Sequence, residues 1–490
     1  MTDRETSARN AAGVLLPGFA GTTLPEWLAT RLEQGLAGVC LFAENIVSLD
    51  QVRRLTDQIR RANPLAIIAI DEEGGDVTRL FAATGSPYPG NAILGRIDDL
   101  DYTEAVARSV GWQLRRAGCS LDFAPDVDIN SNPDNPVIGV RSFGTDPALV
   151  ARHSAAWVRG LESTGVASSA KHFPGHGDTA QDSHVALPVV DLSLDELRER
   201  ELVPFRAAIE AGTSTIMTSH IVLPRVDAHG PATFSRRILG DLLRGELGFA
   251  GVIVTDALDM AGASAEIGIA AAAVRAVDAG CDLLCIGTRN TAEQLDEIVQ
   301  ALLGAISAGG LSAARLEEAA ARNRDLARAV DERSELIPVP EYGGELDDEF
   351  DLARTSGSFD LRPGVAVSAE RALVVLETAS NIAVGRSLWG VAAAGEDPIV
   401  LRRGDALELP SGVQPVLVGK GNHRHPWVRE AIDAIRAGHP SALVVDMGWP
   451  GDDRAYADVA TFGGSRHVGR ALLAWLEARA DAVGTETGRP

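Results

Sequence analysis

Between Lys171 and His184 the chain reads KHFPGHGDTAQDSH, a short stretch that holds three of the ten histidines, Asp178, Asp182 and one of the two lysines, the other being Lys420. Nearly all the positive charge is written as arginine. A lysine kept here, a compact point charge in place of a planar fork, marks a candidate for chemistry or binding. Imidazole exchanges protons near neutral pH, and a neighbouring carboxylate can orient it. Two other chemistries use the same residue types. His172-x3-His176 and Asp182-x-His184 have metal-ligand spacings, as a metal-dependent hydrolase barrel would, but Pro174, Gly175 and Gly177 break any helix that would align the first pair. A Schiff-base lyase acting through Lys171 would want an apolar pocket to depress the amine, whereas this lysine adjoins a histidine and many acids. A solvated polar loop is the non-functional reading.

Further polar residues recur at the ends of short apolar runs. Asp71-Glu72-Glu73 follows one run, Asp126 and Asp128 the next, then Lys171-His172, His220 and Asp256. Charges this close to a core need partners or a purpose. Asp256 in VIVTDALDM directly ends a β-branched run, so its carboxylate is expected at the mouth of the fold; the competing reading, a helix N-cap, is better met by Asp259. Asp71 has the same logic, with Gly74 and Gly75 turning the chain behind it. Arg79 and Arg141, in GGDVTR and GVRSFG, can pair with such acids or form surface ion pairs.

The elements that must position these groups alternate through the first two thirds of the chain. Apolar runs of the kind found in buried parallel strands are Val14–Leu16, Gly38–Phe42, Ala66–Ile70, Leu121–Ala124, Val166–Ala170, Thr215–Thr218, Val252–Thr255 and Leu283–Ile286. Helical segments include Leu49–Ala62, Tyr102–Ala117, Pro147–Ser163, Leu194–Ala211, Ser235–Leu247 and Leu311–Val330. Asp146-Pro147 is an N-cap followed by proline, and Ser193 with Glu196 has capping-box spacing. Eight strands alternating with helices predict an α/β fold with an N-terminal (β/α)8 TIM-like barrel, whose C-terminal rim would carry the chemistry; an open doubly wound sheet is the alternative. A proline-, glycine- and acid-rich stretch, Ile337–Phe350, reads as linker. Beyond it Leu373–Leu376, Val416–Val418, Leu443–Val445 and Val459–Phe462 alternate with helices Trp427–Ala437 and Ser465–Ala480, as in a smaller three-layer α/β domain. The expected division is 1–335 catalytic barrel, 336–368 linker and 369–490 C-terminal domain. In the latter, GNHRHPW groups His423, Arg424 and His425, which read as a capped turn before a helix or as a loop added to the site.

With 490 residues, two domains are expected. A formal charge of −23 repels nucleic acid and anionic membrane surfaces, which leaves a neutral or small ligand as partner. Cys40, Cys119, Cys281 and Cys285 sit in apolar surroundings and read as buried free thiols. The N-terminus lacks a basic region followed by an apolar run, and no uninterrupted apolar stretch of about 18 residues occurs. A cytoplasmic location is expected.

Together, DEEGGDVTRL, GVRSFG, KHFPGHGDTAQDSH and VIVTDALDM, in that order, resemble glycoside hydrolase family 3, in its bacterial β-N-acetylglucosaminidase branch. The resemblance implies a retaining glycosidase that removes terminal β-linked N-acetylglucosamine or glucose without a metal or organic cofactor. It implies Asp256 as the nucleophile that forms a covalent glycosyl-enzyme, and His184 as acid/base with Asp182 orienting it, where most retaining enzymes pair two carboxylates about 5–5.5 Å apart. Asp71, Arg79, Arg141, Lys171 and His172 match the sugar-holding residues. Asp76 departs from the family, which more often has arginine there. The branch includes β-glycoside phosphorylases, so inorganic phosphate is the candidate co-substrate: a neutral imidazole does not repel it as a carboxylate base would. A degenerate, non-catalytic sugar-binding barrel is the non-enzymatic reading, and it predicts loss of Asp256, Asp182 or His184, all of which are present.

Overall fold

The computed structural model describes residues 3–179, 187–341, 346–378 and 383–486. The chain divides into two compact units: residues 1–73, 100–138 and 145–341 form the first, and residues 74–99, 139–144 and 342–490 the second.

The first unit is built on short strands β1 (Leu15–Pro17), β2 (Gly38–Leu41), β3 (Ile67–Ile70), β4 (Leu121–Asp122), β5 (Ala167–Phe173), β6 (Thr215–Thr218), β7 (Val252–Val254) and β8 (Leu284–Gly287). Strands β2 to β7 hydrogen-bond in sequence order, every pairing parallel, and β1 pairs with β8. A bridge between Val254 and Leu283 joins β7 to the chain entering β8. The sheet curls around an apolar interior to which all eight strands contribute, among them Leu16, Cys40, Ala69, Leu121, Ala167, Met217, Val254 and Cys285. All four cysteines are buried free thiols, as their apolar settings predict.

Helices follow the strands, with two departures from the sequence pattern. The segment Leu194–Ala211 forms two helices, Leu194–Glu199 and Leu202–Glu210, broken at Arg200 and Glu201; a continuous helix would drive the Pro204 ring into the Arg200 carbonyl four residues back. Arg237–Glu246 winds as a wider helix, closed by Leu247 N–H on the Leu242 carbonyl, an i→i+5 spacing. The two predicted caps are present: Asp146 accepts from the amides of Ala148 and Leu149, and Ser193 and Glu196 form a reciprocal box.

One cluster of ion pairs in this unit lies where the chain enters β8. Asp282 is fully buried and accepts from Arg244 (2.5 Å), Arg315 (2.7 Å) and the amide of Ile253 (3.0 Å). Asn323, from the helix Ala313–Leu336, donates to the Asp282 and Gly13 carbonyls.

The second unit has a six-stranded sheet. Strands β9 (Asp360–Leu361), β10 (Arg371–Leu376), β11 (Ile399–Leu401), β12 (Gln414–Gly419), β13 (Leu443–Asp446) and β14 (Val459–Ala460) run in the order β11-β10-β12-β13-β14-β9, parallel except at β9. Alternate side chains bury opposite faces. Val374, Leu417 and Val444 pack with Val428 and Ile432, while Val375, Val416, Val418 and Val445 pack with Ala471, Leu472, Ala92 and Ile93. Asp76 belongs to this unit, where it takes Lys420 Nζ at 2.7 Å and the Gly464 amide at 2.7 Å. The acid that departs from the family pattern is thus matched by the chain's second lysine. The GNHRHPW segment is a single turn, Asn422–Arg424, leading into the helix Pro426–Gly438. Asp446 accepts from the amides of Gly421, Asn422 and Gly448; burial nevertheless pushes its pKa up to about 6.

Because Asp282 joins Arg244, Arg315 and, at 3.8 Å, Arg322 at the strand entrance, Asp282→Ala is expected to cost about 3–5 kcal/mol by removing the buried carboxylate these partly buried guanidinium groups share. Urea denaturation checks the loss; turnover per folded molecule is expected to stay at the wild-type value.

Candidate active site

Strand β5 runs three residues past the apolar segment that predicts it, so Lys171 and His172 lie within the strand and not after it. The extension follows from pairing with the acid-rich segment after β4: Lys171 N–H donates to the Pro125 carbonyl, and Val127 N–H to the Lys171 carbonyl. Lys171 is almost fully buried and its ammonium meets two carboxylates, Asp71 at 2.8 Å and Glu73 at 2.7 Å. A buried ammonium is tolerable with such partners. Glu73 is a contact that the sequence shows only as one acid among three.

Asp128 organises the next layer. One oxygen receives the Nδ1 proton of His172 at 2.6 Å and the other the His176 amide at 2.7 Å, while the His172 amide lies 3.3 Å from both. Burial alone would raise this carboxyl, but His172, by charge and hydrogen bond, outweighs it and holds Asp128 below the usual carboxylate range. With Nδ1 carrying the proton, His172 Nε2 is left as an acceptor if the ring is neutral.

His176 is also fully enclosed. Its Nδ1 lies 3.0 Å from Thr179 Oγ1, and its ring stands edge-on to that of His172, with centroids 5.8 Å apart. Burial, followed by the charge of His172, pushes its pKa down to about 4, although Asp128 and Asp256 act in the opposite direction. Asp256 is therefore near enough for its charge to register on this group. Its Oδ1 accepts from the Ala257 amide at 2.8 Å, at the turn that follows β7. Asp259 is not a helix-start acid here. It accepts from the amide and hydroxyl of Thr288, reaching into space that Gly287 leaves open, where an added Cβ would lie 2.0 Å from the Asp259 carboxyl carbon.

Two glycines let the motif fold over this layer. A Cβ on Gly177 would lie 1.6 Å from the Ile129 carbonyl oxygen, and one on Gly175, at φ +128°, would strike Glu201. Glu201 is itself buried, which pushes its pKa up to about 7 against the pull of Arg200. Arg200 bridges Glu201 Oε1 at 2.6 Å and Asp178 at 2.7 Å. The broken helix thus ties down the base of the motif, a link with no short-range sequence signal.

Of the eight residues singled out from sequence, Asp71, Lys171, His172 and Asp256 fall in the first unit. Arg79 and Arg141 belong to the second, where Arg79 donates to the Ala383 carbonyl at 2.9 Å and the Arg141 carbonyl accepts from Asn91 at 2.6 Å. Asp182 and His184 lie outside the residues the structure describes. For a cation, Asp126, Asp128 and His172 offer ligand atoms within 4.8 Å of one another. Asp128 and His172 are joined there by a 2.6 Å hydrogen bond.

A parallel sheet with acids, a buried lysine and two histidines gathered at its strand ends has the polar rim on which α/β barrel enzymes carry their chemistry. Residues 22–326 match the glycosyl hydrolase family 3 N-terminal domain, and the chain belongs to that family. It is 38% identical over 348 residues to β-hexosaminidase A of Pseudoalteromonas piscicida, a match that spans 65% of this chain and 58% of that protein. Identity to the β-hexosaminidase of Stenotrophomonas maltophilia (strain K279a) is 39% over 316 residues, 61% of this chain and 92% of the relative. The solved structure of a glycoside hydrolase family 3 β-N-acetylglucosaminidase from Paenibacillus sp. str. FPU-7 superimposes with TM-score 0.80 at 29% identity, covering 96% of both chains.

The depressed His176 gives a signed pH prediction. Its folded pKa of about 4 lies below the unfolded value of 6.5, so the unfolded chain binds the extra proton. The stability involved is fully present above pH 6.5 and is lost as pH falls towards 4, about 3 kcal/mol over the window. Denaturant titrations from pH 7 to pH 4 are expected to show a steeper decline for wild type than for His176→Asn, by one proton.

Proposed function

We propose that the protein is a retaining β-N-acetylhexosaminidase acting on terminal β-linked N-acetylglucosamine, on a (β/α)8 barrel joined to a smaller three-layer α/β domain. The apolar interior shared by eight strands supports barrel closure. The observation that carries the functional reading is the position of Asp256: it lies two residues past β7, its carboxylate takes the Ala257 amide, and its charge acts on the buried His176, which with His172 meets Asp128. The names of the relatives supply the sugar.

In this reading Asp71, Lys171 and His172 hold sugar hydroxyls. Asp256 attacks the anomeric carbon while the bond to the leaving oxygen breaks. His184, oriented by Asp182, gives that oxygen a proton, then takes one from water as the water attacks and Asp256 departs as carboxylate. No metal or organic cofactor is needed.

Electrostatics support water over phosphate as acceptor. At the strand ends of the first unit Asp71 and Glu73 meet the ammonium of Lys171, and Asp128, held below its usual range, receives the ring of the next residue, His172. Burial, with the charges of Glu72 and Asp71 beside it, pushes Asp122 well above its usual range in spite of a hydrogen bond from the Glu72 amide. A phosphate dianion entering such a mouth is repelled, whereas water is not.

Three outcomes are expected with an aryl β-N-acetylglucosaminide. Turnover is indifferent to added phosphate and yields free sugar; a phosphate-dependent rate with sugar 1-phosphate as product makes the protein a phosphorylase. Asp256→Ala abolishes turnover while far-UV circular dichroism stays unchanged. His184→Ala slows substrates with poor leaving groups by about 10²–10⁴-fold, the span of general-acid assistance, and activated aryl glycosides much less.

A further inference from the structure

His220 sits at the end of β6, fully buried, and takes no part in the chemistry described so far. Its two ring nitrogens are both engaged. Nε2 lies 3.1 Å from the Ala257 carbonyl and Nδ1 lies 2.9 Å from Thr233 Oγ1. A carbonyl only accepts, so the ring carries its proton on Nε2, and in the neutral state Nδ1 accepts from the Thr233 hydroxyl. Thr233 in turn lies 2.9 Å from Thr218 Oγ1. Its one hydrogen has a competing acceptor in the Ser219 carbonyl, also at 2.9 Å. Only the orientation towards Nδ1 satisfies both nitrogens of a neutral imidazole.

Ala257 is the residue on which the carboxylate of Asp256 rests. Its amide donates to Asp256 Oδ1 at 2.8 Å, and its carbonyl takes the His220 proton together with the Met260 amide at 3.1 Å. On the other flank, Leu258 N–H donates to the Cys285 carbonyl of β8 at 2.9 Å. The turn after β7 is therefore held from β8 by backbone and from β6 by an imidazole.

We propose that His220 is a positioning residue for the nucleophile: by holding the Ala257 carbonyl it fixes the Ala257 amide, and with it the plane in which the Asp256 carboxylate faces the anomeric carbon. Thr233 sets the tautomer that allows this. The inference rests on the assignment of Asp256 as nucleophile. Its physical basis is that displacement of a reacting group by about 1 Å costs on the order of 100-fold in rate.

His220→Leu is expected to lower kcat by about 100-fold, equally for aryl glycosides with good and poor leaving groups, because attack and not protonation is impaired. KM and the thermal midpoint are expected to change little. His220→Gln, whose side-chain amide can donate to the same carbonyl, is expected to recover the rate to within about tenfold of wild type, and both variants keep the shape of the wild-type pH profile. Thr233→Val, which removes the hydroxyl at nearly constant volume, provides an independent route should His220→Leu fold poorly, and is expected to lower kcat with the same indifference to leaving group. Wild-type kcat in His220→Leu, no recovery in His220→Gln, or a loss that only tracks the unfolded fraction overturns the proposal. Asp256→Ala assayed in parallel separates the two levels. If it turns over, the nucleophile assignment has failed; if it is inactive while His220→Leu is unimpaired, only the role of His220 has failed.

Discussion

One buried carboxylate, Asp128, holds the candidate site together. It joins the end of β5 to the start of the motif loop by receiving the His172 ring and the His172 and His176 amides. A carboxylate with fewer donors would not stay ionised in such a place. Its two oxygens fix the His172 ring and draw in the His176 amide, while Lys171, one residue earlier on β5, meets Asp71 and Glu73. These buried groups are thus held by one another before any ligand arrives.

The two ends of the first unit use charge differently. At the strand entrances, Asp282 is neutralised by Arg244 and Arg315 and serves stability. At the strand exits, burial pushes Asp122 well above its usual range, with the charges of Glu72 and Asp71 adding to it. The Asp76–Lys420 pair keeps a further acid of the second unit neutralised.

Much of this was legible in the sequence because it rests on local pattern. Each of the eight apolar runs in the first two thirds is a strand within two or three residues at its ends, and Asp146 and Ser193 cap helices where their neighbours predict. The family followed from four motifs. What was not legible depends on contacts distant in sequence. The length of β5 is set by Pro125 and Val127, and the break at Arg200 turns on a proline whose steric effect competes with good helix formers on either side. Asp128 looked like one acid in FAPDVDIN, since nothing in that stretch announces the two histidines it meets. Asp259 looked like a helix start because helix signals weigh short range, yet its partner is Thr288 across the sheet.

The central claim is that Asp256 carries the sugar during turnover. A 5-fluoro-N-acetylglucosaminyl fluoride, which slows both steps but leaves fast, should trap the intermediate and add one fluorosugar to the intact protein. Proteolysis and mass mapping are then expected to place the label on the peptide VIVTDALDM at Asp256. Label on any other residue, or rapid turnover of unactivated substrate with no trappable adduct, would contradict the account.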